Sequence, residues 1–159
     1  MIAGITGHRE LKNIGWIKTM ISEVLSEMKI TYGYSCLAIG ADELFAELLI
    51  QNNINYTVVI PCTDYETTFE KTTLGNFLLL KGKASELIEL KNNQPSEKAF
   101  NEAGKIIVDN SDILIAVWDG EEAKGLGGTG DIVEYAKSKN KKIIHLNPIN
   151  KTKKLINYG

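Results

Sequence analysis

At 159 residues, with 43% hydrophobic and 24% charged residues, the chain has the makeup of an ordinary globular protein and lies far from the disordered class. A formal net charge of −2 and a pI near 5.7 leave no basic surplus for collecting nucleic-acid phosphates, so nucleic acid is not expected as a partner. Two cysteines, Cys36 and Cys62, are too few to staple a domain of this size and are expected as free thiols in a reducing cytoplasm.

Met1 leads straight into the apolar run 2–6 without a basic leader or a cleavage pattern. No apolar run approaches the roughly 18 residues of a membrane span. A cytoplasmic protein without a membrane partner is therefore expected. Ile14, Ile17, Met20, Ile21, Val24, Leu25 and Met28 recur at helical spacing and share one stripe. The run 35–39 follows as a second strand, then a helix from Asp42 to about Asn52 and a strand over 56–60. A helix is expected within 64–80, although Gly75 and Gly82 weaken it and favour some loop over 70–83. Next come a strand over 86–90 and a helix over 96–108 that Ser96 can cap. The chain closes with a strand over 113–118, a helix over 129–139 and a strand over 142–146.

Short apolar strands alternating with amphipathic helices imply βαβ crossovers. The expectation is one α/β domain over 1–159, doubly wound, with a mostly parallel sheet of about six strands. The lysines at 137, 139, 141, 142, 151, 153 and 154 are expected on a solvated face.

Ligands of such sheets gather beyond the carboxyl ends of the strands, so residues just after each strand carry the chemistry. The first strand runs into Gly7-His8-Arg9, where glycine allows close backbone approach and Arg9 can fork onto phosphate or enter a surface ion pair. His8 fits a structural hydrogen bond and a ligand contact equally. Gly40-Ala41-Asp42 opens the second helix, where capping alone would explain Asp42. The strand over 113–118 ends in Trp118-Asp119-Gly120 and continues to Gly127-Gly128-Thr129 at a helix start, whose amides attract anions. Thr129 could also be no more than an N-cap. Asp131 and Glu134 share a face of that helix and could meet ribose hydroxyls or act as a base. Trp118 could stack on a base or complete the core edge. GxGxxG and P-loop patterns are absent, the Cys and His spacing fits no zinc site, and no cofactor or metal is expected.

Gly4-Ile5-Thr6-Gly7-His8-Arg9, Gly40-Ala41-Asp42 with Phe45-Ala46-Glu47, and Asp109 to Asp112 through Trp118-Asp119-Gly120 to Gly127-Gly128-Thr129 together resemble the SLOG superfamily. That is the Rossmann-like fold of the cytokinin-activating LOG proteins and the SMF/DNA-processing proteins. The resemblance implies a nucleotide-type ligand, such as an ADP-ribose-derived signal in bacterial immunity, and a homodimer or higher homo-oligomer. It also offers a phosphoribohydrolase that cleaves a base from a nucleoside monophosphate. The LOG motif PGGxGTxxE, however, places its glutamate three residues after the threonine, where this chain has Ile132. Asp131 or Glu134 would have to substitute as catalytic residue, so a sensor or sequestering module is the preferred expectation. In it, Arg9 and the amides of 127–129 hold phosphate. Asp42, Asp119, Asp131 and Glu134 orient ribose, and Trp118 or Tyr65 flanks the base.

Overall fold

A strand covered on both faces reads as an unbroken apolar run, and Ile113 to Val117 is the clearest case: all five residues are buried. The computed structural model, which describes residues 1–121 and 128–156, builds its sheet around this strand. The strands are β1 (Ile2–Gly7), β2 (Tyr32–Ser35), β3 (Asn55–Ile60), β4 (Glu86–Glu89), β5 (Ile113–Val117), β6 (Lys142–Asn147) and β7 (Thr152–Ile156). Between them lie helices α1 (Ile14–Glu27), α2 (Ala41–Gln51), α3 (Lys71–Gly82), α4 (Glu97–Asp109) and α5 (Thr129–Ser138). The strands form one sheet in the order β4-β3-β2-β1-β5-β6-β7, parallel throughout except for β7, which runs antiparallel to β6.

Two apolar layers close the sheet. Ile17 and Ile21 of α1, Phe45 and Leu49 of α2, and Phe77 and Leu80 of α3 pack with Ile5, Val58 and Ile115 on one face. Ala103 and Ile107 of α4 and Ile132 and Val133 of α5 pack with Val59, Leu114, Ala116 and Ile143 on the other. Strand order therefore reverses between β1 and β5: the chain leaves β1 toward β2 on one side and resumes on the other at β5. Among the described residues no helix is long and apolar enough to cross a membrane.

Three elements differ from expectation. The second strand lies at Tyr32–Ser35, before the apolar run at 36–39. Gly33 lies close beneath α2 in this strand: a Cβ there would lie 2.4 Å from Leu49 Cδ1. The run itself is a connection anchored by Leu37, which has φ 56° and no exposure and whose N–H donates to the Ser35 hydroxyl at 3.0 Å. Next, α3 is continuous through Gly75, since Phe77 and Leu80 anchor it from one side. Finally, a seventh strand, β7, occupies the lysine-rich stretch at the end of the sheet, where Lys153 pairs with Glu27 at 3.0 Å and Glu23 at 3.7 Å of α1.

Candidate functional site

The reversal between β1 and β5 leaves a cleft of about 510 Å³ beyond the strands' carboxyl ends, within the size range of small-molecule sites. Its framework is backbone. His8, the residue after β1, donates its N–H to the Val117 carbonyl at 3.1 Å, and its own carbonyl accepts from the Ala41 N–H at 3.2 Å. One residue thus ties β1 to β5 and to the start of α2. Two glycines permit it. A Cβ on Gly7 would sit 2.4 Å from Ala41 Cβ; on Gly40, at φ 95°, it would sit 2.4 Å from the His8 oxygen and 2.5 Å from the Arg9 oxygen.

Asp42 follows on α2, but as a helical residue and not as its cap, a place that Gly40 takes. Its carboxyl lines the cleft at 8% exposure, and burial pushes its pKa up to about 7 against the pull of the Ala38 and Cys36 backbone donors, with the nearby Glu43 charge adding to the rise. Its carbonyl accepts from the Ser35 hydroxyl at 3.2 Å, so the connection beneath the site is pinned to α2. The Cys36 and Cys62 thiols are both free, and burial raises both pKa values, which leaves them poor nucleophiles.

Arg9 lines the cleft and enters no ion pair among the described residues. The far side is apolar. Tyr65, in a 3-10 turn after β3, donates its hydroxyl to the Cys36 carbonyl at 3.0 Å, and packs edge-on against Phe69 (5.3 Å), Phe77 (5.5 Å) and Phe100 (6.2 Å). The amino ends of α4 and α5 complete the rim through Ser96 and Glu97 and through Gly128 and Thr129. Ser96 caps α4, its hydroxyl accepting from the Ala99 N–H at 3.0 Å. Gly128, not Thr129, is the N-cap of α5.

Gly7, His8, Arg9, Asp42, Gly128 and Thr129 are thus brought together at the lining, with Gly40 and Ala41 directly beneath them. Gly127 lies outside the described residues. Of the remaining expected site residues, Tyr65 lines the cleft, whereas Trp118, Asp119, Asp131 and Glu134 do not. Trp118 donates its indole N–H to the Glu121 carbonyl at 2.8 Å and packs 5.0 Å from the His145 ring, which itself hydrogen-bonds the Trp118 carbonyl at 2.7 Å. Asp119 is held below the usual carboxylate range, chiefly by the Glu121 N–H at 3.0 Å. The Asp119 N–H in turn donates to His8 Nε2 at 3.3 Å. Glu134 pairs with Lys137 at 2.8 Å on the exposed side of α5, and Asp131 lies in the first turn of the same helix. No group of three or more His, Cys, Asp or Glu among the described residues is placed to hold a metal ion.

Sequence reasoning misses Phe69 and Phe100. Phe100 falls on the apolar stripe of α4 and is indistinguishable there from core, while Phe69 follows a turn whose direction no periodicity encodes.

No family model matches the sequence, and no curated protein matches it. Among solved structures, the chain is similar to DNA processing protein A from Helicobacter pylori, described for its unique single-stranded DNA binding mode. The TM-score is 0.68 at 16% identity, over 96% of this chain and 68% of that one. It is similar to DNA processing protein A from Streptococcus pneumoniae at TM-score 0.65 and 18% identity, over 91% of this chain but only 50% of that one. It is also similar to the molybdenum cofactor binding protein from the phototrophic bacterium Rippkaea orientalis, at TM-score 0.60 and 15% identity, over 92% of this chain and 76% of that one.

One expectation is corrected by these likenesses: the exclusion of nucleic acid as a partner is withdrawn, because the chain shares its fold with a protein that binds single-stranded DNA. Net charge describes the whole surface, whereas a strand threaded through a cleft responds to the few donors within it. What these likenesses share with the chain is the fold, a Rossmann-like α/β sheet.

Proposed function

We propose that the chain is a SLOG-superfamily binding module that holds a nucleotide or nucleotide-derived small molecule, of the ADP-ribose type, in the cleft at the β1–β5 reversal. Arg9 carries this reading: a guanidinium in the cleft wall with no carboxylate partner among the described residues matches a phosphate. The start of α5, at Gly128 and Thr129, adds backbone donors on the same lining. Binding is preferred to glycosidic hydrolysis because Asp131 and Glu134, the carboxylates a hydrolase of this type would need, do not line the cleft. A second reading, a nucleotide within single-stranded DNA as the ligand, is favoured by the likeness to DNA processing protein A.

Calorimetric titration with ADP-ribose, AMP and a short oligothymidylate separates the readings. The expected result is saturable binding of ADP-ribose or AMP, weakened at least tenfold in Arg9→Ala with an unchanged melting temperature. Binding of the oligonucleotide alone would favour the second reading. Absence of all binding, or full affinity in Arg9→Ala, would remove the proposal, and base released from AMP by the wild type would restore the hydrolase.

A further inference from the structure

We infer that the α4 side of the cleft is a subsite for a planar heteroaromatic base and that Phe100 is its stacking residue. This rests on the nucleotide reading above and adds which part of the ligand goes where. The cleft is divided between two chemistries. Arg9 and the amino end of α5 follow β1 and β5, whereas the aromatic wall follows β3 and begins α4. In the sheet order β1 and β3 are two strands apart, roughly 10 Å at ordinary strand spacing, which is on the order of the span of a nucleoside monophosphate. Asp42, after β2, lies between them in that order.

The aromatic residues of the wall are not equivalent. Phe69 is 9% exposed and stacks on Phe77 with ring centroids 4.4 Å apart; Tyr65 is 5% exposed and its hydroxyl is committed to the Cys36 carbonyl. Both are structural. Phe100 lines the same cleft yet remains 36% exposed, and among the described residues its one ring contact is an edge-on approach to Tyr65 at 6.2 Å and 61°. Gly104, one turn further on the same helix, also lines the cleft, and a Cβ there would lie 2.4 Å from Ile132 Cδ1, so this glycine lets α5 close on α4 beside the cleft. A phenyl ring held by a capped helix, open to a cleft whose other end favours anions, is a platform for the base of a nucleotide.

The test compares AMP with ribose 5-phosphate, which shares its sugar and phosphate but lacks the base. Calorimetry on the wild type, Phe100→Ala and Phe100→Tyr is accompanied by a thermal melt of each. The wild type is expected to bind AMP at least tenfold more tightly than ribose 5-phosphate. Phe100→Ala should lose roughly tenfold in AMP affinity while its ribose 5-phosphate affinity stays put, and Phe100→Tyr should retain AMP binding. Equal wild-type affinity for both ligands, or a parallel loss of both in Phe100→Ala, would overturn the base subsite and leave the phosphate reading standing. Binding of neither ligand by the wild type would overturn both.

Discussion

Gly40 and Gly75 belong to neighbouring limbs of the same face, α2 and α3, and do opposite things. Gly40 stands where α2 meets the end of β1, at φ 95°, with no room for a Cβ between the carbonyls of His8 and Arg9. Gly75 lies inside α3, where a Cβ would meet nothing within 4 Å. The first glycine is what lets the cleft rim close; the second is merely a weak point in a helix. A rim built from backbone contacts is stiff, as a site that must present fixed donors requires, whereas α3 depends on the burial of Phe77 and Leu80.

The largest effect should come from breaking the rim. Gly40→Ala combines a positive-φ backbone that side-chain-bearing residues rarely adopt, at roughly 1–3 kcal/mol, with overlap against two carbonyls, at roughly 1–3 kcal/mol, so urea unfolding should show a loss of about 4 kcal/mol or no cooperative transition at all. A wild-type-like curve would show that the rim is soft and remove half of the contrast.

A second effect tests the rim's electrostatics. The folded pKa of Asp42, about 7, lies above its ordinary unfolded value near 4. The stabilising contribution of the neutral carboxyl is therefore complete below about pH 4 and is lost as pH rises through about 7. Relative to Asp42→Asn, the wild type should lose on the order of 4 kcal/mol between pH 4 and pH 8, read from urea midpoints at stepped pH. A wild type whose stability relative to Asp42→Asn stays flat across this window would place the carboxylate in water, outside the lining. The smallest effect should have the opposite sign: Gly75→Ala should stabilise by about 1 kcal/mol through helix propensity alone, leaving ligand binding untouched. Destabilisation there would mean that α3 is packed on the side that now looks open.

The parts of this fold legible in the sequence are those whose signal is local. The helix stripe from Ile17 to Leu25, the apolar run of β5 and the Ser96 cap each declare themselves within a few residues. The stretch 36–39 misleads because an apolar connection and an apolar strand have the same composition, and only the pairing of Tyr32–Ser35 with β1 and β3 puts the strand earlier. β7 is illegible for a different reason. Its lysines look like solvated surface, and they are, but an edge strand covered on so little of its surface can be polar at nearly every position.

The candidate site divides in the same way. Glycine-marked strand ends point to Gly7, Gly40 and Gly128, and their neighbours Arg9, Asp42 and Thr129 share one lining. Trp118, equally prominent in the sequence, is drawn aside by His145 of β6 and the Glu121 carbonyl. Phe100, featureless in the sequence, sits in the lining because α4 begins beside the turn that carries Tyr65.

Alternating short strands and helices by themselves determined a layered, mostly parallel sheet, and with it the edge at which a ligand gathers, because periodicity records burial along each element. Which side chains meet at that edge was decided only by the tertiary structure. Strand order, the lie of each connection and the close approaches permitted by Gly7, Gly33 and Gly40 are contacts between distant parts of the chain, and they bring Arg9, Asp42 and Phe100 around one cleft.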